Sequence, residues 1–94
     1  MYKDTYHPRV TRDLKKLDVR TREEIKTIHV PAILSDPGVG QTLIGNLAGI
    51  HSYHFKIANK QYRIAYVVSE EEKIVSILMI GKRESFYDVL KRRM

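Results

Sequence analysis

Cysteine is absent from this chain of 94 residues, which excludes a disulfide framework and any thiolate metal site. No apolar run approaches the roughly 20 residues of a membrane-spanning helix, and Met1-Tyr2-Lys3-Asp4 opens no secretory pattern. The compartment expected is therefore the cytoplasm, with no membrane partner. Histidines stand at positions 7, 29, 51 and 54, without a recognised ligand spacing, so neither a metal nor a cofactor is expected. No internal repeat or low-complexity tract appears. Glycine is scarce, yet Gly38, Gly40 and Gly45 fall close together and invite a phosphate-loop reading. That reading fails, because Asn46 and Leu47 stand where a lysine and a hydroxyl should follow the last glycine. The run is expected to be a loop.

Acidic residues are also in the minority, 11 against 17 Lys and Arg, for a net charge of +6. Such an excess suggests a polyanionic partner. It is uneven. Residues 1–26 hold eight cations and five anions, residues 82–94 hold five and two, and the stretch between is balanced at four and four. Two basic ends point to patches that meet on one face. The length makes one domain, 1–94, which buries only about 60–65% of its unfolded surface.

The pattern reads as an α+β domain: a strand, two helices, a three-strand meander and a short terminal helix. Tyr2 to Tyr6 alternates weakly as a first strand. His7-Pro8 opens a helix, and Val10, Leu14 and Leu17 give it a narrow apolar stripe. Asp18 or Thr21 caps a second helix with Ile25, Ile28, Ala32 and Ile33 on its buried face. Pro31 must kink or break that helix, because it removes one hydrogen bond and clashes with the preceding turn, at about 3 kcal/mol. Asp36-Pro37-Gly38 ends it.

From Ser52 the period changes to two. Tyr53, Phe55 and Ile57 alternate with His54, Lys56 and Ala58; after the turn, Tyr62, Ile64 and Tyr66 alternate with Arg63 and Ala65. A two-residue turn at Asn59-Lys60 sets Lys56 opposite Arg63. Directly paired cations destabilise a sheet unless an anion lies between them, and such local conflicts concentrate at functional sites. Glu70-Glu71-Glu72-Lys73 makes a second turn. Ile74 to Gly81 is apolar on both faces apart from Ser76, as expected of a central strand or of one covered on both sides. It runs into Lys82 and Arg83. A helix over residues 84–92 would put Arg83 and Tyr87, at i and i+4, on one face.

The meander and its exit thus gather His54, Lys56, Arg63, Arg83 and Tyr87, a set suited to cutting a phosphodiester. RNA cleavage needs the 2′-hydroxyl deprotonated, the phosphate oxygens stabilised and the 5′-oxygen protonated as it leaves. His54 suits proton transfer near neutral pH, and neighbouring cations favour its neutral form. Arg63 and Arg83 offer planar forks for phosphate. Lys56 either neutralises the phosphate or moves a proton itself, so the general base is His54 or Lys56. Tyr87 stacks on a base or assists as an acid. Lys82, Lys91, Arg92 and Arg93 form a basic rim for the RNA. His51 shares the parity of Tyr53 and Phe55 and is expected away from this set.

The same residues resemble the RelE/ParE superfamily of type II toxin–antitoxin toxins, and the RelE-like branch in particular. The resemblance covers nearly the whole chain. It is carried by Leu14-Lys15-Lys16-Leu17, Leu43-Ile44-Gly45, Tyr53-His54-Phe55-Lys56-Ile57, Tyr62-Arg63-Ile64-Ala65-Tyr66 and Ile80-Gly81-Lys82-Arg83-Glu84. It implies a β-α-α-β-β-β fold, with the helical hairpin packed on a mainly antiparallel sheet and a short C-terminal helix. It also implies a small toxin that enters the ribosomal A site and cleaves mRNA there, with His54, Lys56, Arg63, Arg83 and Tyr87 catalytic. A cognate antitoxin, the ribosome and mRNA follow as partners. The chain departs from the branch in two places. Lysine is common where His54 stands, and the spacing from the Gly81-Lys82-Arg83 block to Tyr87 is shorter than in some relatives. Two other readings share the composition: a ParE-like poison of DNA gyrase on the same fold, and a noncatalytic basic domain that binds nucleic acid.

Overall fold

The computed structural model spans residues 1–94. A first strand, β1 (Lys3–Tyr6), leads into helix α1 (Val10–Lys15). The next helix starts at α2 (Val19–Glu24), where the Asp18 carboxylate accepts the Thr21 N–H at 2.8 Å, and runs on through a π-helical turn, Ile25–His29, to α3 (Val30–Ser35). The π turn is how the chain accommodates Pro31: the helix widens just ahead of the residue that cannot donate an N–H and restarts at Val30. The extra residue rotates the buried stripe. Thr21, Ile25, Val30 and Ile33 face the core, whereas Ile28, expected there, is 53% exposed.

Strand β2 (Gln41–Thr42) is a short edge that the sequence reading treated as loop. The meander follows as β3 (His51–Ile57), β4 (Lys60–Ser69) and β5 (Ile74–Lys82), and the chain closes with helix α4 (Phe86–Arg93). The five strands lie in the order β1-β5-β4-β3-β2, antiparallel except for β1 against β5. The expected α+β arrangement is therefore the observed one, with β5 an interior strand held between β1 and β4, and β4 at the centre.

Each sheet face has its own core. Val10, Leu17, Ile25, Val30 and Ile33 of the helices pack on Ile64, Tyr66, Val75 and Ile77. On the other face Phe86 and Leu90 of α4 pack with Leu47, Ile50, Ala65 and Met79. A bulge explains why β5 reads as apolar on both sides. Ala65 pairs with Met79 but Tyr66 with Ile77, so Leu78 is the extra residue and the alternation changes phase there. Val75 and Ile77 before it, and Ile80 after it, all face the helical hairpin.

The hairpin turn differs from expectation by one residue. Ala58 and Asn59 are the two loop residues, both at positive φ (50° and 67°), and Ile57 pairs with Lys60. Two left-handed residues match the twist of the flanking strands in a two-residue loop. The consequence is a shift of register: Arg63 lies opposite His54, and Lys56 lies opposite Gln61.

Tyr66 explains one glycine of the loop. Its buried hydroxyl donates to the Pro37 carbonyl at 2.7 Å and accepts the Gly40 N–H at 3.0 Å. A Cβ on Gly40 would collide with that hydroxyl. Gly40→Ala should therefore lower the unfolding free energy by about 1–3 kcal/mol, as overpacking does. Urea denaturation checks this, and an unchanged midpoint would contradict it.

Candidate active site

The face of the sheet beneath α4 carries the polar residues in cross-strand rows. Register places Ser52 beside Ala65 and Met79, then His54 beside Arg63 and Gly81, then Lys56 beside Gln61. Arg83 extends the third row, since its N–H donates to the Gln61 carbonyl at 3.0 Å. Successive rows are about 7 Å apart, two strand residues. One face therefore presents an imidazole, two guanidiniums and an ammonium.

Tyr87 completes the group from above, in a way the sequence reading did not foresee. Residues 83–85 form a turn with Ser85 left-handed at φ 59°, and α4 starts only at Phe86. Arg83 and Tyr87 consequently share no helical face. Phe86 is buried as the anchor of α4, and Tyr87 lies instead over Arg63, whose guanidinium carbon is 4.8 Å from the ring centroid. The phenol oxygen is 3.4 Å from both His54 Nε2 and Ser52 Oγ. His54 Nε2 and Ser52 Oγ are 3.1 Å apart. Long contacts of this kind are common in catalytic sites before substrate tightens them.

Ser52 was not anticipated as a site residue. It is 1% exposed and the only hydroxyl within reach of both the imidazole and the phenol. Its parity with His54 and Lys56 was the available signal. His54 as a residue is exposed, but its Nε2 edge turns inward. Its pKa is held below the ordinary imidazole value, first by desolvation and second by the Arg63 guanidinium. Neutral imidazole is the form this favours.

The remaining histidines serve elsewhere. His51 stacks on Tyr66 at 5.1 Å on the opposite face. His29 stacks on Phe55 at 4.1 Å and meets the Tyr53 hydroxyl at 3.0 Å. His7 accepts the Arg9 N–H at 3.0 Å. No three His, Asp or Glu side chains are grouped as metal ligands.

The expected basic rim divides. Lys91 and Arg92 are exposed on α4, and Lys91 lines a shallow groove of about 330 Å³ with Tyr87, Ile44 and Leu47. Lys82 pairs with Tyr62 at the end of the sheet and lines two clefts, one with Lys16 and Asp13 and one with Gln61 and Arg83. Arg93 is not available to RNA at all. It is 8% exposed and makes a bidentate pair with the buried Asp13 carboxylate, at 2.8 and 2.9 Å. Lys56 is exposed, and the Arg83 side chain pairs only with its neighbour Glu84, at 3.4 Å. An exposed pair of that kind contributes little and yields readily to a phosphate.

Comparison with known proteins agrees with this architecture. A family model for the ParE-like toxin of type II bacterial toxin-antitoxin system matches residues 5–91. No curated protein matches the chain. Among solved structures it is similar to the RelBE2 toxin-antitoxin complex from Mycobacterium tuberculosis, at 28% identity and TM-score 0.77, covering 87% of this chain and 98% of that one. A mutant of the E. coli toxin RelE in the free state aligns over 99% of this chain and 97% of its own, at 21% identity and TM-score 0.75. The intact E. coli RelBE toxin-antitoxin complex gives 23% identity and TM-score 0.70, over 89% of this chain and 99% of that one. With the family match spanning residues 5–91, the chain belongs to the ParE-like toxins of type II bacterial toxin–antitoxin systems.

Proposed function

We propose that this toxin is a metal-independent, ribosome-dependent endoribonuclease that cuts mRNA in the A site. The observation that carries the reading is the His54–Arg63–Tyr87 cluster, with Ser52 beneath it and Lys56 and Arg83 one row further along the sheet. Each demand of phosphodiester cleavage finds a group there. Neutral His54, or Lys56 beside it, takes the 2′-hydroxyl proton; the oxygen attacks phosphorus, and the bond to the 5′-oxygen breaks. Arg63 and Arg83 stabilise the charge that grows on the nonbridging oxygens. The Tyr87 phenol returns a proton to the leaving oxygen. The products are a 2′,3′-cyclic phosphate and a free 5′-hydroxyl, so atoms and charge balance.

The clefts beside the site, about 270 Å³ at Gln61 and Arg83 and about 330 Å³ at Tyr87 and Lys91, are small and solvent-open, which suits a substrate held in position by the ribosome. The partner proposed alongside is a cognate antitoxin whose acidic or amphipathic segment covers this basic face or displaces α4, working in the cytoplasm. Similar structures of toxins with their antitoxins support that pairing.

Arg83→Ala should reduce cleavage by about 100-fold or more, the scale of a lost charge-stabilising donor, while leaving the unfolding midpoint near wild type, because the side chain is 51% exposed. Arg92→Ala is the matched control on α4. Equal losses from both substitutions would refute the reading in favour of general electrostatic binding.

The acid limb of the kcat/KM profile tests the base. With its pKa below 6.5, His54 stays neutral as pH falls through 6.5 and loses its function only below that value. A limb at or above 6.5 would contradict the role given to His54, and a limb that persists in His54→Ala would assign the base to another group.

A further inference from the structure

We propose that Asp13 and Arg93 are positioning residues for Tyr87: their buried pair at the open edge of β5 fixes the C-terminal helix and so sets the phenol beside His54. The consequence for catalysis rests on the nuclease reading above; the geometric part stands without it.

The edge of β5 is covered by β1 only as far as the Tyr6–Ile77 pair, after which the His7 N–H reaches the Ile77 carbonyl at 2.8 Å. Beyond that point the outward groups of an interior strand have no strand to bond. Asp13 and Arg93 replace it. The Ile80 N–H donates to Asp13 Oδ2 at 3.0 Å, and Arg93 Nη1 donates to the carbonyl of the bulge residue Leu78 at 3.0 Å. The two side chains are joined to each other by both forks, and each is 8% exposed. A carboxylate from α1, on one face of the sheet, and a guanidinium from α4, on the other, are thus locked to each other and to one backbone group each.

That lock decides where Tyr87 sits. Phe86 and Leu90 bury one face of α4, with Tyr87 and Val89 packed partly against the same cluster, but apolar packing of this kind is non-directional and fixes the helix's depth better than its rotation. The helix is entered through the left-handed Ser85, which imposes no rigid continuation from β5. Tyr87 packs its ring over Arg63 and against the α4 cluster, but its own hydrogen bonds are both long, at 3.4 Å, and add little directional hold. The strong, directional contacts of α4 are those of Arg93, at its far end. Six residues separate it from Tyr87, about 9 Å along the axis, so a small rotation about the Phe86–Leu90 stripe carries the phenol off His54.

Two measurements on Arg93→Gln and Arg93→Lys test the proposal, with Tyr87→Phe as the partner substitution. In the Tyr87 background, Arg93→Gln should lower kcat about 100-fold, as misplacement of a catalytic group by about 1 Å does, with KM little changed. In the Tyr87→Phe background it should produce no further loss. Additive losses would overturn the proposal, because they would mean Arg93 acts on the fold and not through Tyr87. The second measurement needs no activity. NMR titration of His54 should show its pKa moving up towards the ordinary 6.5 in Arg93→Gln, as Tyr87→Ala also should, because departure of the ring uncovers an imidazole faced by Arg63, Lys56 and Ser52. Arg93→Lys keeps the charge and the fold but not the fork, and should lie between. An unmoved His54 titration in a folded Arg93→Lys chain would overturn the proposal even if wild type cuts no RNA, a result that by itself would sink only the nuclease reading.

Discussion

Everything at the candidate site depends on the register of the β3–β4 hairpin. The side-chain period of a strand is two, so a slip of one residue would turn His54 and Lys56 into the helical core and Tyr53 and Phe55 onto the α4 face. Two things hold the register. One is the buried set of Ile57, Tyr62, Ile64 and Tyr66 beneath the helical hairpin. The other is the tight loop at Ala58 and Asn59, both left-handed. With that register in place, Arg63 must stand opposite His54, and Arg83 must arrive at Gln61 when β5 is laid alongside. The site is a consequence of strand pairing before any of its residues makes a contact.

The arrangement places like charges and a titratable ring in one neighbourhood, which the fold tolerates for a physical reason. Arg63 rests its guanidinium on the Tyr87 ring, and the face of that ring carries the negative end of its quadrupole. Lys56 and Arg83 remain in water, where repulsion is screened. Burial and the Arg63 guanidinium both lower the His54 pKa, which favours the neutral ring. Three cations on the same face as the imidazole favour an anion there, which is what the proposed nuclease reading requires. By contrast, the acid–base pair buried at the β5 edge is spent on structure, which is why Arg93 belongs with Asp13 and not with the basic rim.

Much of the fold was legible in the sequence because period and punctuation are local. The change from the Val10–Leu14–Leu17 stripe to the alternation from Tyr53 onward located the helices and the meander, and Pro31 announced a disturbed helix. What alternation cannot show is a change of phase. The π turn before Pro31 moved Ile28 out and Val30 in, and the bulge at Leu78 let β5 look apolar on both faces while each face kept its own set. The hairpin loop was displaced by one residue because Ala58 gives no composition signal for a left-handed position. At the site, His54, Lys56 and Arg63 were visible as polar residues on one parity. Ser52 was hidden by its ordinary appearance at a strand start. Arg93 was misread because nothing in a basic terminal helix marks which cation is paired with an aspartate eighty residues earlier.

The measurement that bears most directly on this account is the fate of a defined mRNA in a reconstituted translation reaction, read by primer extension with and without ribosomes. The proposed ribosome-dependent nuclease predicts cuts within codons that appear only when ribosomes are present. An mRNA left intact in the presence of ribosomes, with cleaved DNA accumulating instead on purified gyrase, would contradict it and assign the same fold to the poisoning of a topoisomerase.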